Sequence, residues 1–428
     1  MITVGFDFGT HQTKICYEKT EAGTSFYEVF SFRGKDGGKR LTLPSFIRIL
    51  PSGHLRYGYE AMDERLGGTA ITYFKQVAFS LSATSLDRQI AEQRSVLYLA
   101  YIILNLDRHL SEDYVVHMGM PTDADPKNYL FCKCQAVKMM ASAMLIVRKA
   151  FKGNLEEFLS TPYQVLIEQI DKCLRFCSAN IDEMKKRFAI FVFPEAYVAL
   201  IPLINDHRLP QVGPNLFVDI GGGTVDISFF TNQMDGSIGK NRPCLYYYHS
   251  IPYGLNMITG QDLLHGHNVE VTQHQITPQC VEKFRCQMVS AVDSIMSVLK
   301  DKYIELGKTS VMPFVNLCSQ ILDGRPICYS GGGSMFNELK LPLESDLHGA
   351  GYNFSQVNTV AGLIDHSKLH ESDRMFHVLA TAFSLSHHAL LSNGDHDAIK
   401  LVSVDKLFSG IHIPKFPIKF EKPKNWTW

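Results

Sequence analysis

The sequence is poor in the signatures that place a chain quickly. None of its 10 cysteines falls in a C-x-x-C, and none of its 17 histidines in an H-E-x-x-H. That argues against a zinc ribbon, a thioredoxin-like redox centre and a zincin. Cys132 with Cys134 and Cys173 with Cys177 are close in sequence but wrongly spaced, while Cys16 and Cys328 sit in apolar runs; all read as structural thiols. His265, His267 and the pair His387–His388 also lack zinc spacing and read as surface residues. Excess charge of one sign is missing too: 42 Lys and Arg stand against 43 Asp and Glu, for a formal net charge of −1. A broad nucleic-acid footprint is therefore not expected. The longest unbroken apolar run, Val96 to Leu104, is far short of the roughly 20 residues that cross a bilayer, so no membrane is expected. No basic leader precedes the first apolar stretch, Ile2–Phe6, and the expectation is a cytoplasmic protein. With 45% hydrophobic and 20% charged residues over 428 positions, the chain has a globular composition and room for two cores.

What the sequence does have is an internal repeat. Residues 216–230 read LFVDIGGGTVDISFF: two runs of strand composition around a turn that is almost all glycine. Gly221, Gly222 and Gly223 can take positive φ and hold no side chain between a ligand and the backbone. Successive bare N–H groups in such a turn make an anion-binding concavity. Residues 3–17, TVGFDFGTHQTKICY, follow the same plan of strand, Asp, apolar residue, glycine, threonine and second strand. Asp7, Gly9 and Thr10 stand in the relation of Asp219, Gly221 or Gly222, and Thr224. Either stretch alone reads equally as an ordinary glycine-rich hairpin. Two of them about two hundred residues apart point to two related lobes offering phosphate-gripping turns to one cleft. Carboxylates beside such a cradle suit Mg²⁺, which keeps several waters and takes one or two carboxylates plus phosphate oxygens.

These hairpins resemble the two phosphate motifs of the ATPase superfamily that contains actin, the bacterial actin-like proteins, sugar kinases and the DnaK-type heat-shock chaperones. ICYSGGGSMFNEL at 327–339 is similar to that superfamily's adenosine motif. FAIFVFPEAYVAL at 188–200 and FHVLATAFSLSH at 376–387 are similar to its two connecting segments. LPSFIRI at 43–49, RYGYEA at 56–61 and YFKQVAFS at 73–80 lean towards the chaperone branch. The resemblance implies a two-lobed α/β actin-like ATPase fold, each lobe a duplicated ribonuclease-H-like mixed sheet with helices. The first lobe would span 1–200, with a small subdomain at about 35–92 and a helical insertion at about 127–185. The second would span 201–390, with a small subdomain at about 250–318, and a tail would cover 391–428.

The resemblance also implies a site for ATP or ADP with Mg²⁺. Asp7 and Asp219 would hold the metal mainly through water, and Asp226 would fix the hairpin or the attacking water. Gly9, Thr10, His11 and Gly221–Thr224 would grip phosphates, and Gly332, Gly333 and Ser334 would sit at the nucleoside. Lys75 is either a solvated lysine or the one that reaches the γ-phosphate. The chaperone branch has a water-ordering glutamate just before the connecting-motif proline, but Phe193 stands there in this chain. Glu195, just after Pro194, either substitutes for it or is a first-turn helix acid. The basic residue that stacks on adenine in the chaperones is Phe336 here, which changes the base contact. Gly307-Lys308-Thr309 is not a P-loop, because the required first glycine is Lys302. Residues 232–245 read as a polar turn region.

The chain lacks a chaperone's peptide-binding domain after the last motif, so the implied function is a slow Mg-ATPase whose lobe closure regulates a separate protein. That partner would dock on the helical insertion or on the tail, where Trp426 and Trp428 stand among prolines and lysines. A filament-forming actin-like ATPase and an inactive nucleotide sensor are the alternatives. A small-molecule kinase fits least, since sugar kinases usually lack a lysine like Lys75.

Overall fold

The computed structural model describes residues 1–122, 126–204, 215–235, 240–260, 271, 273–305, 325–340, 354–356 and 373–388. The tail with its two tryptophans and the Gly307–Thr309 stretch lie outside them.

Two sheets organise the described chain. Strands β1 (Ile2–Phe8), β2 (Gln12–Glu21), β3 (Thr24–Val29), β4 (Tyr114–Met120) and β5 (Ile190–Pro194) form the first, in the order β5-β4-β1-β2-β3, with Leu43–Pro44 added against β2. Strands β6 (Asn215–Ile220), β7 (Val225–Asp235), β8 (Lys240–Ile251), β9 (Arg325–Ser330) and β10 (Phe354–Gln356) form the second, in the order β8-β7-β6-β9-β10. In each sheet the first strand is antiparallel to the second and parallel to the fourth, the second antiparallel to the third, and the fourth parallel to the fifth. Strand for strand, the second sheet repeats the first. This is the duplicated mixed α/β arrangement expected from the repeat. All seven residues of β1 are buried, as a central strand covered on both faces requires, so no polar alternation shows in its sequence.

One expected turn region is in large part strand. Residues 232–245 were read as polar turn, yet β7 runs on to Asp235 and β8 begins at Lys240. Antiparallel pairing from Val225–Ile251 out to Asp235–Lys240, with a bulge at Phe229/Phe230, overrides the local polarity.

Helices α1 (Ser85–Leu110), α2 (Pro126–Leu145) and α3 (Tyr163–Ala179) belong to the first lobe. Thr84 caps α1 by accepting from the Asp87 N–H, which starts the helix earlier than its apolar run suggests. The segment expected as an insertion holds a π-turn at Ile146–Ala150 and helices at Leu155–Ser160, α3 and Ile181–Arg187. Leu166, Ile170, Leu174 and Cys177 repeat at helical spacing and are buried together with the residues of the first sheet. The insertion is thus part of the first lobe's core. Lys127–Ala150 is, by length and composition, apolar enough to cross a membrane, which a search for unbroken apolar runs did not find; 67% of its apolar window is buried inside the protein.

Helices α4 (Glu195–Ile204) and α6 (Asp373–Ser386) lie between the sheets, whereas α5 (Pro278–Glu305) fills the second lobe with Phe284, Met288, Val292 and Ile295. Ala196, Ala199 and Leu200 of α4 and Leu379, Ala380, Ala382 and Phe383 of α6 form one cluster with Phe217, Phe230 and Cys328 of the second sheet. At roughly 1.5–3 kcal/mol for each large side chain, this cluster ties the two lobes together. The helix α6 approaches β1 very closely. A Cβ on Gly5 would lie 2.2 Å from the Ala382 carbonyl oxygen, and buried His117 places Nδ1 2.8 Å from the Leu385 carbonyl oxygen.

Candidate functional site

The two sheets present their first hairpins to a common cavity of about 640 Å³. Strand register shows how closely the hairpins correspond. Asp7 is opposite Lys14 and Phe8 opposite Thr13; Asp219 is opposite Asp226 and Ile220 opposite Val225. Each loop therefore has four residues, Gly9–Gln12 and Gly221–Thr224. This corrects the alignment made by residue type: Thr10 corresponds to Gly222, His11 to Gly223, and Thr224 to Gln12.

Both tips are braced from behind. Ser45 donates its N–H to the His11 carbonyl at 2.8 Å and its hydroxyl to the Gly9 carbonyl at 2.7 Å. In the second hairpin, the start of the short helix Leu255–Ile258 does the same work. Gly254, Leu255 and Asn256 donate N–H groups to the carbonyls of Gly223, Gly221 and Gly222 at 2.9, 2.8 and 3.0 Å. In a trans peptide the next N–H points opposite to the carbonyl. The N–H groups of Gly222, Gly223 and Thr224 are consequently turned away from that helix, the disposition an anion-binding nest requires.

The glycines of this turn are needed for space and not for φ. None of the three is among the glycines with positive φ. A Cβ on Gly222 would lie 2.7 Å from Asn256 Oδ1, and one on Gly223 would lie 2.7 Å from His11 Nδ1. The two hairpin tips touch across the cleft, with the imidazole of His11 against the bare second turn.

Four carboxylates and two ammonium groups line the cavity: Asp7, Glu195, Asp219 and Asp226 with Lys14 and Lys75. Lys14 Nζ is 3.1 Å from Asp7 Oδ2, and Lys75 Nζ is 2.6 Å from Glu195 Oε1. Lys75 is buried, and its ammonium also lies 5.8 Å from the centre of the Phe8 ring. Glu195 opens α4 at the end of β5, beside Gly119, where a Cβ would come within 3.0 Å of its Cγ. Phe193 is buried with Val198 and Leu385, away from the cavity lining. Asp226 accepts from the Tyr248 hydroxyl at 2.7 Å and from the Thr224 hydroxyl at 3.4 Å. Burial pushes the Asp219 carboxyl up to about 7, with repulsion from Asp226 next in size. Burial also raises Glu195, against the attraction of Lys75.

The donor set suits a hydrated divalent cation. Fully ionised, the six groups carry an excess of two negative charges, and among the described residues no three His, Cys, Asp or Glu side chains converge to hold an ion directly. Mg²⁺ needs no such cage, because it retains water and shares phosphate oxygens.

Beside the second hairpin, β9 runs into a 3₁₀ turn at Gly332–Met335. Gly331 is left-handed at φ +78, and a Cβ there would lie 2.3 Å from Asp219 Oδ1. Gly332 faces open space, with Val378 Cγ2 at 3.7 Å as its one near neighbour. Gly333 and Ser334 do not reach the cavity lining expected of them; Ser330, Gly331 and Met335 do. Gly333 packs against Ile220, and the buried Ser334 hydroxyl lies 2.7 Å from both the Gly331 carbonyl oxygen and His377 Nδ1. Since the hydroxyl proton goes to Gly331, the imidazole is the donor to Ser334. Burial, followed by the charge of Lys340, pushes His377 down to about 4. Phe336 forms part of the cavity wall but belongs to the second core at 6% exposure, whereas Met335 is 39% exposed.

The remaining sequence-derived residues, Asp7, Gly9, Thr10, His11, Lys75, Glu195, Asp219, Gly221–Thr224, Asp226 and Gly332, all line the one cavity. Lys14, Tyr248, Asn256 and His377 were missed. Aligning the hairpins by loop length would have revealed Lys14, seven residues after Asp7 as Asp226 is after Asp219.

No family model and no curated protein matches the sequence. Among solved structures, the chain is similar to a non-polymerising mutant of MamK bound to AMPPNP, at 13% identity over 90% of this chain and 98% of that one, with a TM-score of 0.40. It is also similar to the MamK double helical filament, at 15% identity over 83% and 94%, with a TM-score of 0.41. Likeness at this level assigns no family. The two-lobed description rests on the chain's own repeated strand order.

Proposed function

We propose that this chain binds Mg-ATP between its lobes and hydrolyses it slowly, with closure of the cleft as the output. One observation carries the reading. Two hairpins in matching register, both braced through their carbonyls, meet at a cavity whose carboxylates exceed its ammonium groups by two. The braced turns would grip phosphates. Asp7 and Asp219 would hold Mg²⁺ through water, and the metal when bound supplies charge neutralisation at the phosphates.

Lys75 would stabilise charge that develops on a transferring phosphoryl group. Glu195 would order a water, and a carboxylate whose proton affinity is raised by burial is the stronger base while it is ionised. Tyr248 and Thr224 fix Asp226. Phe193 supplies no carboxylate, so the only acid on this turn is Glu195, and a slow rate follows.

The closure would act on another protein, either a separate partner in the chaperone manner or further copies of this chain in a filament. ATP-dependent light scattering that rises with protein concentration distinguishes the filament. For the ATPase itself the test is single-turnover phosphate release from Mg-ATP beside Asp219→Ala. Release that is lost in the variant supports the proposal; absence of nucleotide binding in the wild type overturns it.

A further inference from the structure

We infer that His11 makes the position of Lys75 depend on closure of the cleft, a role that rests on the nucleotide reading above. His11 is only 4% exposed and stands at the meeting point of the two hairpins. Its register mate in the second hairpin is Gly223, and the pair meet across the cleft. Any side chain on Gly223 would enter the space that the His11 ring fills, since its Cβ would lie 2.7 Å from Nδ1 and 3.0 Å from Cε1. The imidazole therefore has the second lobe as one wall.

The other wall is Tyr73. The two rings meet edge to face with centroids 5.3 Å apart, and His11 Nε2 is 3.4 Å from the Tyr73 hydroxyl. Tyr73 is itself unusual: its backbone is left-handed, at φ 58 and ψ 13. An aromatic residue holds that conformation only where its surroundings enforce it. It is also the residue before the short helix Phe74–Ala78, whose start has no side-chain cap. The far end of that helix is fixed, because Gln135 of α2 donates to the Ala78 carbonyl at 3.1 Å. Its first turn, which carries Lys75, is held by buried Phe74 against Phe8 and Tyr98 and takes its entry direction from Tyr73.

The chain of contacts runs from the second-lobe glycines through His11 to Tyr73, two residues before Lys75, whose ammonium is paired with Glu195. With the tips together, the imidazole is clamped and Tyr73 is held left-handed. With the tips apart, His11 loses its glycine wall and Tyr73 loses the clamped ring, one of the contacts at the helix start. His11 is a positioning residue in this scheme, acting through Lys75.

Hydrogen–deuterium exchange of the whole chain, with and without Mg²⁺ and a non-hydrolysable ATP analogue, tests this. In the wild type the analogue should slow exchange in residues 73–79 at least about fivefold, together with residues 219–224. In His11→Ala, protection at 219–224 should persist while the change at 73–79 is lost. Tyr73→Gly, which takes the left-handed backbone freely and removes the ring, should do the same and decides the matter if His11→Ala fails to fold. In single-turnover hydrolysis, His11→Ala should add less than about twofold to the loss already caused by Lys75→Ala. Fully additive losses, or equal protection of 73–79 in all three proteins, overturn the inference. Analogue binding that leaves 73–79 unchanged in the wild type overturns it alone, whereas no binding overturns the nucleotide reading with it.

Discussion

Replacing Asp219 by asparagine should make the metal-free protein more stable and the loaded protein less so. The Asp219 carboxyl is pushed from its ordinary 3.8 to about 7, first by burial and then by Asp226 opposite it on the neighbouring strand. A carboxyl raised in the folded state binds its proton more tightly there than in the unfolded chain. Its stabilising contribution is therefore present at low pH and is lost as pH rises through the interval from 3.8 to 7. The rise from 3.8 to about 7, at 1.36 kcal/mol for each tenfold in proton affinity, sets an upper limit of about 4 kcal/mol, of which about 2.6 kcal/mol falls between pH 5 and pH 8. Access of cavity water to one edge of the carboxyl reduces the measurable part to about 1–3 kcal/mol. Urea unfolding with EDTA at pH 5 and pH 8 reads this directly. The wild type should lose more stability over that range than Asp219→Asn by this amount. The variant keeps a smaller slope of the same sign from Glu195, which is also raised. Added Mg-ATP should then stabilise the wild type and not the variant. Parallel pH profiles for the two proteins would refute the idea that crowded carboxylates store this energy.

Gly331→Ala should be severe, because the new Cβ would lie 2.3 Å from Asp219 Oδ1 and 2.4 Å from the Ile220 carbonyl oxygen at a φ of +78. A loss of at least about 2 kcal/mol, or no soluble protein, is expected by thermal melting and yield, and a neutral substitution would contradict the turn geometry. His377, pushed down to about 4 mainly by burial, should give the opposite pH limb. A histidine held below its ordinary 6.5 favours the fold while neutral, so stability should fall by up to about 3 kcal/mol as pH drops from 6.5 to 4. His377→Gln, whose amide can still donate to Ser334, should flatten that limb in melts at pH 6.5 and 4.5.

Much of the fold was legible because the repeat was carried by backbone needs. An Asp at a strand end, glycine in the turn and apolar strands on both sides survive in both lobes, as the matching register of 2–19 and 215–230 records. The reason for the glycines was misread. The expected positive φ is absent at Gly221–Gly223, and close approach of Asn256 and His11 is what excludes a side chain there. Such contacts join residues far apart in the chain, and no local pattern announces them. The same holds for Ser334, which has the right motif around it yet is drawn behind the cavity wall by His377, 43 positions on. Residues 232–235 and 240–245 form strand where polar turn is expected, because local polarity does not reveal that an antiparallel partner stands alongside.

The departures from the repeat matter more for the site than the repeat itself. Opposite its aspartate, the first hairpin has Lys14 and the second has Asp226. One turn is thereby neutralised by its own ion pair, and the other is left with two facing carboxylates, the weaker pair electrostatically and the one that a cation would relieve. At the tips, a histidine faces a glycine where strict symmetry would put two equal side chains in the same space. Both asymmetries place the structural demand on the second lobe: it supplies the unneutralised charge and the bare backbone, while the first supplies the side chains that fill the gap. A cleft built from two identical hairpins would have neither a preferred seat for a cation nor a side chain able to report contact between its lobes. Gly223→Ala should therefore be rescued in part by His11→Gly, which clears the space the new methyl group needs, whereas Gly222→Ala should not be, because its Cβ meets Asn256 Oδ1 at 2.7 Å first. Comparing nucleotide affinity in the two glycine variants, each with and without His11→Gly, checks it, and equal affinity in Gly223→Ala with and without the second substitution would show that the tips do not meet in solution.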